Sequence, residues 1–194
     1  MRQRGLPRER LLDAARTVVE DGDWEDLRIA LVARAAGVSR QTAYNEFGSR
    51  LGLARALAER ELDGFVGGVQ ERMERHVDDV PAAVEAAVLH ALAEAGRRPL
   101  PRAVLGAGRT RDDDLLGLAT RGSDLLLRRL VEAFRAYADA VWPAIPGEAK
   151  NLLVESLMRL TVGHAVEPLH APHEVARGMA ELTRRLLSPP PDGR

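Results

Sequence analysis

Cysteine is absent from this 194-residue chain, which excludes disulfides, thiolate metal sites and cysteine nucleophiles. Aromatic residues are scarce, at 4%, and no segment sustains the apolar/polar alternation of a half-buried strand. No uncharged apolar run reaches the length that a membrane helix needs. The N-terminal stretch "MRQRGLPRERLLDAARTVVEDG" is basic, yet Glu9, Arg10, Asp13 and Arg16 break up any apolar run of the kind a signal peptide requires. A soluble, cytoplasmic protein with no membrane partner is expected. An excess of one charge is missing too, the net being −1. The distribution is less even. Arg2, Arg4, Arg8 and Arg10 form a basic arm, whereas Glu20, Asp21, Asp23, Glu25 and Asp26 form an acidic cluster. Such an arm can dock phosphates, although charged termini are commonly just solvated.

What is present is helical spacing, in segment after segment. Leu11, Leu12, Ala15, Val18 and Val19 make one stripe that ends near Gly22, and Ile29, Val32, Ala33 and Ala36 make a shorter one that meets Gly37. Longer helices follow: one from about 50 to 77, one opened by Pro81, one ending before "WPAIPG", and two at about 148–167 and 172–187. The stretch "GRRPLPRAVLGAGRTRDDD" carries turn residues and is expected to be broken or mobile. The tail "SPPPDGR", residues 188–194, is expected to be disordered. The reading is all-α, with about nine helices.

Residues 36–50, "AGVSRQTAYNEFGSR", concentrate polar groups in a chain otherwise rich in Ala and Leu. Gly37 can take the left-handed conformation of a tight turn between two helices, and Ser39 can cap the second. Ala43 and Phe47, four apart, would face inward. Arg40, Gln41, Thr42, Tyr44 and Asn45 would face out. Arg can pair with guanine, Gln or Asn with adenine, a Thr methyl with a thymine methyl, and Ser and Tyr hydroxyls with phosphate. A helix-turn-helix reading DNA fits, and so does a polar surface on an ordinary helical hairpin.

The longer stretch "LVARAAGVSRQTAYNEFGSRLGLARALAE", with "RERLLDAARTVVEDGDWEDLRIALVARAAGVS" before it, resembles the DNA-binding domain of the TetR family of transcriptional regulators. The resemblance covers roughly the first third of the chain. It implies that "RQTAYNEF" is the recognition helix, with Arg40, Gln41, Thr42 and Asn45 as base readers. Ser39 and Tyr44 would hold phosphates, and Arg50, where the family usually has Lys, would hold the backbone from the start of helix 4. Three departures stand out. Arg28 occupies the place of a capping Ser or Thr; it can reach phosphate but cannot cap. Leu51 and Gly52 replace the usual acidic residues, which removes the helix 4 capping box. Glu46 brings a carboxylate close to the groove.

The resemblance further implies a domain division of 1–50 for DNA binding and 51–187 for a helical ligand-binding and dimerisation domain. A homodimer would form through the last two helices, where Leu153, Leu157 and Leu160 face one way, as do Val175, Met179, Leu182 and Leu186. These stripes could equally face the monomer's own core. Leu126, Leu130, Phe134, Tyr137 and Trp142 suggest an apolar lining for a small hydrophobic effector, with Arg129 (or Arg128) as anchor for an acidic head group. No metal or other cofactor is expected. His170 and His173 straddle Pro172, and His76, His90 and His164 are isolated. An enzyme is not expected either. "GAGRTR" lacks the Lys-Ser/Thr of a phosphate loop, and "RDDD" has no companion motif. The reading is therefore a one-component regulator, a repressor of a palindromic double-stranded DNA operator. The rival is a helical carrier or adaptor whose helix-turn-helix has lost DNA binding.

Overall fold

The computed structural model describes residues 5–21, 26–95 and 113–188, the side chains of 5, 6, 21 and 113–126 excepted. Gly22, Arg2, Arg4, most of the turn-rich segment after Ala95 and the tail beyond Ser188 lie outside these residues. Eight helices and no strand occur among the described residues: α1 (Gly5–Asp21), α2 (Ile29–Ala35), α3 (Arg40–Phe47), α4 (Arg50–Glu74), α5 (Val80–Ala95), α6 (Asp113–Val141), α7 (Gly147–Val166) and α8 (Pro172–Leu187). The all-helical expectation holds. No helix is long and apolar enough to cross a membrane, among the described residues.

The chain divides into two compact units. One runs to Asp63 and also takes in the part of α6 ending at Asp124; the other runs from Gly64 and takes in the chain from Leu125 onward. Helix α4 therefore begins in the first unit and continues into the second.

The first unit is built on a single core. Leu11 and Ala15 of α1, Leu27, Val32 and Ala33 around α2, Ala43 of α3, and Leu53, Ala54 and Leu57 of α4 are all buried together. Val38, in the corner between α2 and α3, and Phe47 pack against its edge. A short helix of seven or eight residues is marginal by itself, so α2 and α3 owe their stability to this shared core.

The second unit holds two smaller clusters. Val84 and Val88 of α5 meet Val175, Ala176 and Met179 of α8, with Leu157 of α7 alongside. Phe134 of α6 meets Val69 and Met73 of α4 and Ala83 of α5, with Phe65, Leu130, Tyr137, Trp142, Val154 and Met158 around them. Asp79 caps α5 by accepting from the Ala82 amide at 3.0 Å. At the start of α8, Pro172 sits in the first turn, and the Glu174 carboxylate accepts from the Ala171 amide at 3.1 Å.

Candidate nucleic-acid interface

The turn between α2 and α3 closes by backbone geometry. Gly37 has φ +64°, its amide donates to Arg34 O at 3.1 Å, and the Val38 amide donates to Ala33 O at 3.0 Å. This pair of bonds satisfies carbonyls that the end of α2 leaves open, and it requires the left-handed residue that Gly37 supplies. Arg10 of α1 reaches the same place, its Nη2 donating to Ala36 O at 2.5 Å. The chain then reverses into α3. Ser39 caps that helix as its type suggests: its Oγ accepts from the Thr42 amide at 3.0 Å and lies 2.8 Å from Thr42 Oγ1.

The far end of α3 is just as tight. Gly48 has φ +70° and ψ −40°, and the Ser49 amide donates to Phe47 O at 2.8 Å. That three-residue closure is a γ-turn, a strained shape that glycine accommodates. Ser49 then caps α4, its Oγ accepting from the Gly52 amide at 3.0 Å. Half of the helix 4 capping box is thus retained. The other half is excluded, because a Cβ at Gly52 would lie 2.0 Å from Phe47 O.

This scaffold displays the outward set. Arg28, Ser39, Arg40, Gln41, Tyr44 and Asn45 are exposed, and Thr42 is half-buried. Tyr44 is 50% exposed, a large value for an aromatic ring. Gln41 Nε2 donates to Asn45 Oδ1 at 2.9 Å, which pre-orders two amides on one helical face. Arg28 stands before α2 with extended backbone and makes no side-chain cap. Arg50 is half-buried, and its Nε donates to Leu27 O at 2.8 Å, so it also ties the start of α4 to the chain before α2. Arg8 stacks over the Phe47 ring at 4.9 Å from its centroid. The sequence reading treated Arg8 and Arg10 only as part of a basic arm. A cation–π partner far along the chain leaves no local signal.

Charge is distributed unevenly over this unit. Arg16 pairs with Glu20 at 2.7 Å and with Glu61 at 3.7 Å, and the Glu20 hydrogen bond holds its guanidinium more firmly protonated. Arg60 pairs with Asp13 at 2.7 Å and Glu9 at 3.6 Å. By contrast, the exposed guanidinium groups of Arg28, Arg34 and Arg40 make no ion pair among the described residues. Arg16 and Arg60 are thus neutralised, whereas Arg28, Arg34 and Arg40 are not, and Arg8 and Arg10 at the start of α1 contact a ring and a carbonyl rather than a carboxylate. Uncompensated arginines beside a capped helix N-terminus suit a phosphate backbone.

Comparison with known proteins agrees. Residues 11–57 match the family described as bacterial regulatory proteins, tetR family, and residues 79–185 match the bacterial tetracyclin repressor C-terminal domain. The chain is 34% identical over 179 residues to the HTH-type transcriptional regulator AlkX of Mycobacterium tuberculosis (strain ATCC 25618 / H37Rv), covering 92% of this chain and 84% of that protein. This chain belongs to the TetR family. It is similar in structure to the TetR family repressor AlkX from Dietzia sp. strain DQ12-45-1b, a protein implicated in biodegradation of n-alkanes. The TM-score is 0.71 at 30% identity, over 93% of this chain and 95% of that one. As a TetR-family member the protein is a DNA-binding transcriptional regulator, of a family whose members are generally not enzymes.

In this TetR-family chain the second unit carries the residues expected to line an effector site. Leu130, Phe134, Tyr137 and Trp142 do come together, in the cluster around Phe134. Tyr137 and Trp142 meet edge-on, with centroids 5.8 Å apart, and Trp142 Nε1 donates to Val77 O at 2.7 Å. Arg128 and Arg129 are exposed. One residue along a helix turns the side chain by about 100°, so Arg129 cannot share the face of Leu130. The Leu126 side chain lies outside the described residues.

The last two helices divide their stripes. Leu153, Val175 and Met179 are buried, whereas Leu160, Leu182 and Leu186 are exposed. Between α7 and α8 lies an open groove of about 440 Å³, lined by Leu160, His164, His170, Glu174, Met179 and Leu182 among others. Part of these stripes thus faces the monomer core and part faces solvent.

Proposed function

We propose that this TetR-family regulator is a repressor that binds a palindromic operator as a homodimer and leaves it when a small apolar effector binds. The observation carrying the DNA half is the set of arginines 28, 34 and 40, without ion pairs among the described residues, around a capped helix that exposes Tyr44. Arg40, Gln41, Thr42 and Asn45 would read bases, and Arg28, Ser39, Tyr44 and Arg50 would hold phosphates. The domains would divide at about residue 50. The exposed leucines 160, 182 and 186 on α7 and α8 support dimerisation, since large apolar side chains on two adjacent helices are otherwise costly in water. Two half-sites also multiply the modest specificity of one short helix.

The effector would enter the cluster around Phe134, Tyr137 and Trp142. Identity with AlkX proteins, one of them implicated in n-alkane biodegradation, supports an aliphatic effector and target genes for aliphatic degradation. Release follows if the effector binds more tightly to the conformer that fits DNA poorly.

Selection of bound sequences from random duplex DNA tests this directly. A recovered palindrome supplies the operator. Tyr44→Ala should then lose at least tenfold in operator affinity while keeping the wild-type melting temperature, because half of the ring is already in solvent. Normal binding by that variant would refute the placement of α3. A folded dimer that selects no sequence, with or without aliphatic compounds, would favour the carrier reading.

A further inference from the structure

The polar ends of the two edge-to-face aromatics in the α6 cluster are treated differently. Trp142 Nε1 is satisfied by Val77 O. The Tyr137 hydroxyl is buried and has no hydrogen-bond partner among the described residues. A buried hydroxyl without an acceptor is rare in native proteins, because burial removes its water and nothing in the fold replaces it. Phenylalanine would fill the same space without that penalty. The cluster that holds Tyr137 is apolar and adaptable, with Met73, Met158, Phe65 and Phe134 together with the small Ala83, Ala87 and Ala91 of α5.

We propose that the Tyr137 hydroxyl is the polar anchor of the effector site, and that it selects an uncharged oxygenated aliphatic molecule whose oxygen accepts its proton in a hydrogen bond. This rests on the reading of the cluster as the effector site and names the chemistry of its ligand. An uncharged head group follows from the local electrostatics. Burial and the nearby Glu74 carboxylate both hold the phenol in its neutral, proton-donating form. The same carboxylate repels an anionic head group. Arg128 and Arg129, which could have offset that repulsion, are exposed on another face of α6. An alcohol, aldehyde or ester suits the site better than a carboxylate, and a bare alkane leaves the hydroxyl unmatched.

The test follows Trp142 fluorescence in the full chain, with Trp24→Phe removing the second tryptophan. Octan-1-ol, octane and octanoate are titrated against this protein and against its Tyr137→Phe derivative. Tyr137→Phe is expected to weaken octan-1-ol about tenfold, to leave octane unchanged, and to melt no lower than its parent. Octanoate is expected to bind more weakly than octan-1-ol. Equal effects of Tyr137→Phe on alcohol and alkane, tighter binding of octanoate, or a markedly lower melting temperature would each overturn the anchor while leaving the cluster as an effector site. Binding of none of the three would remove the effector site itself, and the anchor with it.

Discussion

Gly48 and Gly67 are both open to substitution by volume, since a Cβ built on either meets no atom within 4 Å. Replacing each by alanine should nevertheless move stability in opposite directions. At Gly48 the backbone is held at φ +70°, ψ −40°, inside the γ-turn that joins α3 to α4. An L-residue there stores about 1–3 kcal/mol of backbone strain. Lower entropy of the unfolded chain returns about 0.4–1 kcal/mol. Gly48→Ala should therefore cost about 1–2 kcal/mol. Gly67 lies inside α4 in ordinary helical backbone, where alanine gains about 1 kcal/mol over glycine. With a urea slope of about 2 kcal/mol/M, the midpoints should separate by about 1 M or more. Urea unfolding followed by far-ultraviolet circular dichroism, at one fixed protein concentration, reads both values. A Gly48→Ala variant as stable as wild type would refute the γ-turn. A Gly67→Ala variant that loses as much stability as Gly48→Ala would refute the reading of Gly67 as an unhindered helical position.

Ser39→Ala should cost about 1 kcal/mol in the same assay and should also weaken operator binding, because it removes the cap of α3 and a hydroxyl near its first turn. Lys150 is 7% exposed and pairs with Asp139 at 2.5 Å. Asp139→Asn leaves that ammonium buried without a counter-charge. It should cost about 1–2 kcal/mol, less than for a fully buried pair because the Asp139 side chain is well exposed. Lys150→Met should be near neutral in urea melts, so a larger loss than for Asp139→Asn would refute the assignment. Tyr137 has a raised folded-state pKa, so the folded state binds more protons than the unfolded one above the ordinary tyrosine pKa of about 10. Wild-type stability should fall relative to Tyr137→Phe as pH rises past that value. Parallel curves for the two proteins at alkaline pH would show that the phenol is not held neutral.

Which of these features could be read from the chain follows a physical division. The helical stripes were legible because period 3.6 is local, and Leu11, Ala15, Val32 and Ala43 are buried as their spacing required. Gly37 and Ser39 were legible because turn and cap chemistry depend on residue type within a few positions. Gly52 was not. It read as a missing acidic residue, whereas a carbonyl five residues earlier leaves no space there for any side chain. Arg8 on Phe47 and Arg10 on Ala36 join residues far apart in sequence, so neither has a local signature. The burial of Lys150 has no local signature either, since its partner Asp139 lies 11 residues earlier, across a turn.

Helix α4 links the two halves of the proposed mechanism through its own residues. Its first turn carries Arg50, tied to Leu27 O, and its second half carries Phe65, Val69 and Met73 of the effector cluster. Gly64 falls between them, at the division of the chain into two units, and Gly67 and Gly68 lie between Phe65 and Val69. Gly68 has a packing reason, since a Cβ there would lie 2.8 Å from His90 Nε2. Gly67 has none, yet each glycine costs about 1 kcal/mol of helix propensity relative to alanine. Glycine without a steric need, in the interior of a 25-residue helix, lowers the free energy needed to bend or locally unwind it. A ligand that repacks Val69 and Met73 would then act on a helix already soft on the side toward Arg50. Rigid propagation through α4 would predict that Gly67→Ala strengthens the coupling between effector and DNA. A hinge predicts that it weakens the coupling, and the placement of the glycines favours the hinge.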